Sequence, residues 1–156
     1  MEQKQLITTF YESFQQANAE GMVACYHNDI EFEDPAFGKL NGDDAKNMWR
    51  MLLSRNSAIK VTFSNVQITE NKGTANWKAV YQYGPQKRKV INNISASFEF
   101  KDGKIIKHTD VFSMWKWSKQ ALGFKGLLLG WTPFLKNKVQ GLTHKLLKEF
   151  TEKHSS

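Results

Sequence analysis

Apolar residues recur at helical spacing over residues 2–18, where Leu6, Ile7, Phe10, Tyr11, Phe14 and Ala17 form one stripe. That spacing predicts an amphipathic helix with one buried face. Gly21 breaks the pattern, and Met22, Val23, Cys25 and Tyr26 predict a short second helix. Residues 29–34 then alternate, with Ile30 and Phe32 on one face and Glu31 and Glu33 on the other, as in a short strand. Asp34 falls on the Ile30/Phe32 face. Pro35 ends the strand, and Gly38 and Gly42 punctuate a loop. Asp43 or Asp44 is placed to cap a helix with Ala45, Met48, Trp49, Leu52 and Leu53 as its buried stripe. Four strand-like runs follow, at about 60–70, 74–84, 88–101 and 104–115. Asn71-Lys72-Gly73, Gly84-Pro85 and Lys101-Asp102-Gly103 read as the turns between them. The chain becomes helical again after Trp117, starting at Ala121-Leu122-Gly123 and broken by Gly130 and Pro133. A last helix covers 134–153, with the stripe Leu135, Val139, Leu142, Leu146 and Phe150. Helices followed by a run of hairpins indicate an α+β domain with an antiparallel sheet.

Several polar residues fall on faces that this pattern assigns to the core. The run 104–115 has Lys104, Ile106, His108, Asp110, Phe112 and Met114 at its even positions, the more apolar face. His108 and Asp110 are thus side by side on an inward face, where an unpartnered carboxylate is costly. They form either an acid/base pair in a cavity or a mutually satisfied structural pair. Asp34 is either a carboxylate at a pocket mouth or an Asx-type turn. Trp77, Tyr81 and Asn92, with Phe10, Phe14, Trp49 and Phe112, are candidates to line a cavity for an apolar ligand. The four His residues show no metal-ligand spacing, and no phosphate-binding Gly loop or Gly-x-Ser-x-Gly elbow occurs. Cys25 lies in an apolar segment and reads as core.

Composition narrows the class. A chain of 156 residues is one domain's worth. With 40% hydrophobic and 13% aromatic residues it is too apolar for a disordered chain. One cysteine permits no internal disulfide, which suits a reducing, cytoplasmic setting. The polar start Met-Glu-Gln-Lys-Gln does not read as a signal peptide. The net charge of +7 raises nucleic acid or anionic membrane as partners. Its location matters more: residues 1–115 carry 14 basic and 13 acidic side chains, while residues 116–156 carry 8 Lys against 2 Glu.

The order of elements, with Glu31-Phe32-Glu33-Asp34-Pro35 and the closing segment Phe98–Ile106 followed by His108 and Asp110, resembles the NTF2-like superfamily. The likeness is to its SnoaL-like and ketosteroid-isomerase-like members, over roughly residues 3–115. That resemblance implies a cystatin-like cone: a strongly curved, mainly antiparallel sheet wrapped around the N-terminal helix, with a cavity and a dimer formed through the convex face. It implies that Asp34 matches the isomerase's proton-shuttling base. Asp110 matches the region of the acid/base aspartate of SnoaL-type cyclases, with His108 beside it. The isomerase's oxyanion-hole tyrosine and protonated aspartate have no match. Their positions fall on Phe10, one residue from Tyr11, and on Ala96. An Asp-Arg-Asp epoxide-hydrolase set is unsupported too, because Arg50, Arg55 and Arg88 lie on a helix, a helix end and a turn.

The expected organisation is a SnoaL-like domain over 1–117 and a basic amphipathic helical extension over 118–156 packing on it. The extension covers the cavity mouth or a dimer neighbour, lies on an anionic membrane surface, or touches nucleic acid. The last is set aside because it carries no Arg. The expected function is an isomerase, cyclase or lyase that uses Asp34, His108 and Asp110 on an apolar carbonyl compound, without cofactor or metal. The alternative is a non-catalytic ligand-binding or scaffold domain.

Overall fold

The computed structural model describes residues 2–55, 58–123 and 133–154. Helix α1 (Gln3–Gln15) and the short α2 (Ala19–Val23) lead into β1 (Tyr26–Asp34) and β2 (Gly38–Asn41). Helix α3 (Asp43–Arg55) follows, then β3 (Lys60–Thr69), β4 (Lys72–Tyr83), β5 (Arg88–Lys101) and β6 (Lys104–Val111). Two helices close the described chain, α4 (Met114–Leu122) and the last one, here α5 (Pro133–His154). The fold is α+β, as the periodicity predicts.

The six strands form one sheet in the order β2-β1-β6-β5-β4-β3. All neighbours are antiparallel except β1 and β6, which run parallel. Helix α1 touches both β3 and β6, which are three strands apart. Neighbouring strands are spaced by about 4.8 Å, so one helix reaches both only if the sheet curls around it. Register shifts between Ser64 and Gln67 and between Glu99 and Phe100 supply bends of the kind that curl a sheet. The inner face is lined by alternate residues of the long strands, among them Ala75, Trp77 and Ala79 on β4 and Ile94, Ala96 and Phe98 on β5. Leu6, Ile7, Phe10, Tyr11 and Phe14 of α1 fill the space against them. Gly73 lets α1 come this close, since a Cβ there would lie 2.7 Å from Ile7 Cδ1.

Several boundaries differ from the periodic reading, each for a local reason. The second helix ends at Val23, and Tyr26 opens β1 three residues before the predicted strand. The loop punctuated by Gly38 and Gly42 contains β2, which pairs with β1 from Glu31 to Asp34. Its four residues are too few to show an alternation. Neither Asp43 nor Asp44 is the cap of α3: both lie in its first turn, where negative charge favours the helix, and Gly42 O accepts the first amides.

The largest difference is at the end of β6. The strand stops at Val111, so Phe112 and Met114 do not continue it, and the helix starts at Met114 instead of Ala121. Ser113 caps α4 by accepting from Lys116 N at 3.2 Å, and Gly123 ends it with a φ of 68°. Helix α4 packs on β5 where β6 no longer pairs with it. There Gln120 takes the place of a neighbouring strand: its Oε1 accepts from Ile91 N at 2.7 Å and its Nε2 donates to Ile91 O at 3.0 Å. The predicted breaker Gly130 lies outside the described residues.

Helix α5 packs on α3 and on the β1–β2 turn. Leu147 is its buried anchor, with Leu146 and Phe150 beside it on the main core and Val139 on a second cluster around Val90 and Trp117. Leu142, assigned to the stripe by spacing, is 52% exposed, and Thr143 takes the inward position next to it.

Candidate functional site

His108 lies in the middle of β6 and faces inward among aromatic rings. Phe98 is 4.5 Å from it between ring centroids, Phe32 5.2 Å and Phe10 5.4 Å, while Trp49 is stacked at 6.3 Å. No part of it reaches solvent. A buried imidazole needs partners for both nitrogens, and it has them. Tyr26 Oη lies 2.7 Å from Nδ1, and Asp110 Oδ1 lies 2.9 Å from Nε2. Trp49 Nε1 donates to Tyr26 Oη at 2.9 Å, and Trp77 Nε1 donates to Asp110 Oδ1 at 3.2 Å.

The direction of this chain follows from the donor inventory. An indole N–H can only donate, so Tyr26 Oη accepts from Trp49 and passes its own hydrogen to His108 Nδ1. The imidazole hydrogen therefore sits on Nε2 and points at Asp110. Burial raises the Tyr26 hydroxyl well above the usual phenol range, so it stays a donor. Asp110 Oδ1 receives two bonds.

Asp34 ends β1 on the same inward face. The parallel register pairs Phe32 with His108 and Glu33 with Thr109, which sets Asp34 beside Asp110. Its Oδ1 accepts from Ala36 N at 2.9 Å and Phe37 N at 2.6 Å, an Asx turn that starts the connection to β2. Burial raises its carboxyl to about 7. The two backbone amides oppose that shift, and the charges of Asp110 and Glu33 add to it. Asp34 also acts electrostatically on Tyr81, so both belong to one neighbourhood.

Other candidates take different places. Phe10, Phe14 and Trp49 are packed in the main core. Tyr81 Oη accepts from Trp117 Nε1 at 2.8 Å, which ties β4 to α4. Asn92 and Phe112 are half-buried near the same end of the sheet. Arg50 is tied to Glu20 and Asn47, and Arg88 Nε donates to Gln120 O. Cys25 is buried with its thiol pushed up to about 11 by desolvation, so it is no nucleophile at neutral pH. Among the described residues no three of His, Cys, Asp and Glu group as metal ligands, and no helix is long and apolar enough to cross a membrane. An open groove of about 430 Å³ lies on the outer face between Thr62, Asn76 and Asn93, on strands that carry none of Asp34, His108 and Asp110.

Two contributors escaped the sequence reading. Tyr26 was assigned to a helix, so its link to His108 was invisible. The ring of Tyr11 is core, as its place in the α1 stripe predicts, but its hydroxyl is fully buried with no hydrogen-bond partner. Burial and the nearby Asp110 hold that hydroxyl well above its usual range, so it keeps its proton. The available signal was a tyrosine inside an otherwise hydrocarbon stripe.

The comparisons agree with this architecture. A family model described as a SnoaL-like domain matches residues 7–108. A putative polyketide cyclase from Pseudomonas putida KT2440 superposes with a TM-score of 0.65 at 14% identity, over 78% of this chain and 98% of that one. An epoxide hydrolase of the LEH-like type from M. tuberculosis gives 0.63 at 20% identity, over 84% and 92%. An NTF2-like protein of unknown function from Burkholderia pseudomallei gives 0.62 at 14%, over 72% and 92%. At such identities the likeness shows the fold alone. No curated protein matches the chain by sequence.

Proposed function

The chain belongs to the SnoaL-like family of the NTF2-like superfamily, and from that premise we propose that it is a cofactor-independent isomerase, cyclase or lyase acting on a small apolar carbonyl compound. The observation that carries the reading is the pairing of Asp34 with Asp110 on adjacent strands, one carboxyl having its proton affinity near neutrality. A group that titrates near the working pH both takes and returns a proton well.

In this reading Asp34 takes a proton from the carbon next to the carbonyl. The C–H electron pair moves into a C=C bond and the carbonyl oxygen gains negative charge. Tyr11 Oη, buried and without a partner, donates to that oxygen. Asp34 then returns the proton to carbon or to the leaving oxygen. His108 has both nitrogens engaged, so it orients Asp110 and does not meet the substrate.

The test is solvent-deuterium incorporation into a panel of enolisable cyclic ketones, followed by NMR. Asp34→Asn is expected to lower incorporation by about 100-fold or more, and Asp110→Asn to lower it less. Equal incorporation by the parent and Asp34→Asn removes the proposed role.

The second reading is a non-catalytic binding or scaffold domain. Closure of the interior supports it, since Tyr11 and His108 are fully buried and Asp110 is 3% exposed. No incorporation by the parent chain, together with retained binding of an apolar dye, would favour that reading.

A further inference from the structure

Helix α5 meets the β1–β2 turn through polar bonds as well as packing. Gln140 Nε2 donates to the Pro35 carbonyl at 3.0 Å, and His144 Nε2 to the Phe37 carbonyl. Thr143 Oγ1 lies 2.8 Å from the Ala36 carbonyl and 3.0 Å from that of Gln140, the shorter contact being the one across to the turn. Three successive carbonyls of one turn are thus held by one helix. The amides of the same turn serve the other side, since Ala36 N and Phe37 N both donate to Asp34 Oδ1.

These two sets of bonds are mechanically linked. A peptide unit is planar, and in the trans form its C=O and N–H point in opposite directions. None of the described peptides is cis. The Pro35 carbonyl shares a plane with the Ala36 amide, and the Ala36 carbonyl shares one with the Phe37 amide. Holding both carbonyls from α5 therefore aims both amides at the carboxylate on the far side. Gly38 makes the approach possible: it has a φ of 69°, and a Cβ there would sit 3.3 Å from Gln140 Oε1.

We propose that Gln140 and Thr143 are positioning residues for Asp34, acting through the two peptide planes of the turn, so that α5 sets the orientation of the carboxyl. The donors of these contacts lie outside the segment matched by the family model, which ends at residue 108. The catalytic consequence rests on the role proposed for Asp34 above; the geometric coupling does not.

The experiment uses the full chain and compares Thr143→Val with Thr143→Ser, and each with Gln140→Ala/Thr143→Val. Amide hydrogen exchange at Ala36 and Phe37 is read alongside the Asp34 carboxyl titration by NMR. The groups around that carboxyl are Asp110 on β6, Tyr81 on β4, Glu33 and Tyr26 on β1, and His144 across the turn from α5. Leu147 still anchors the helix in each variant, so burial is retained while the amide bonds loosen.

Thr143→Val is expected to speed exchange at the Phe37 amide by roughly tenfold, the size of one hydrogen bond, and Gln140→Ala/Thr143→Val to speed it at the Ala36 amide as well. Thr143→Val is also expected to move the Asp34 titration upward, because the amides favour the charged form. Thr143→Ser, which keeps the hydroxyl, is expected to behave as the parent. The double variant is expected to exceed Thr143→Val at both readouts. Equal exchange and equal titration for Thr143→Val and Thr143→Ser overturn the proposal. If the double variant does not fold, the two single variants still decide it. A shifted titration with no loss of deuterium incorporation in Asp34→Asn leaves the coupling standing and removes only its catalytic meaning.

Discussion

Two inward-facing regions of the same sheet solve the burial of a polar group in opposite ways. Around His108 every partner is a side chain: Trp49, Tyr26, Asp110 and Trp77 form a chain that begins and ends on an indole N–H. Around Asp34 the partners are backbone amides of an exposed-side turn, and the turn is held in place by another helix. The first arrangement gives each of its polar hydrogens a side-chain acceptor. The second leaves a carboxyl whose charge is only partly compensated, so burial wins and its proton affinity rises to about 7. Two acidic groups on neighbouring strands are therefore held differently, one by side chains and the other by the amides of a turn.

The comparison can be broken most forcefully at His108. His108→Ala removes the acceptor of the Tyr26 hydroxyl and one of the two bonds to Asp110 Oδ1 while opening a cavity among Phe10, Phe32 and Phe98. The expected loss is about 3–5 kcal/mol in urea unfolding, since unpaired polar burial and a cavity add. A loss below about 1 kcal/mol would show that the chain is not structural.

Asp34 gives the next largest effect, and its sign is opposite to that of an ordinary salt-bridged acid. The folded carboxyl is raised from an unfolded value of 3.8 to about 7. The folded state thus binds the proton more tightly, and its contribution is fully present below about pH 4 and lost as pH rises through 7. The parent chain is expected to lose roughly 3 kcal/mol relative to Asp34→Asn between pH 4 and 8. Parallel stability–pH curves for the two proteins would remove the raised proton affinity from the picture.

A smaller perturbation sharpens the contrast. Trp49→Phe keeps an aromatic ring stacked on His108 but removes the N–H given to Tyr26. The expected cost is about 1–2 kcal/mol, with no change in the titration of Asp34. A moved Asp34 titration in that variant would mean that the Trp49–Tyr26 bond, and not only the charge of Asp110, reaches Asp34.

Much of this was legible along the chain. Alternation on β6 placed His108 and Asp110 on one inward face, and alternation on β1 placed Asp34 with Ile30 and Phe32. At the start of β6 the register shift beside Glu99 and Phe100 changes the phase, so that Ile105 is buried and Ile106 only half-buried. The α1 stripe from Leu6 to Phe14 follows from a period of 3.6, whereas Ala17, also assigned to it by spacing, lies past the end of the helix with a φ of 55° and is exposed. The reading ran past the end of β6 because Phe112 and Met114 continued the alternation, whereas the Ser113 cap and the docking of Gln120 on Ile91 are contacts that no period encodes. Leu142 was placed inward on hydrophobicity, and the helix instead turned Thr143 to the turn to satisfy its carbonyls.

The charge partition drawn from the sequence separated a nearly neutral domain from a basic extension. By itself the sequence determined the fold class, the faces and the residue types available to each face, since these depend on local spacing and on transfer from water. Only the tertiary structure decided which partner each buried polar atom found. It joined Tyr26 to His108 across 82 positions, and it brought Thr143 to the Ala36 carbonyl across 107. A hydrogen bond is satisfied by proximity in space, and the curl of the sheet and the return of α5, not the order of residues, supply that proximity.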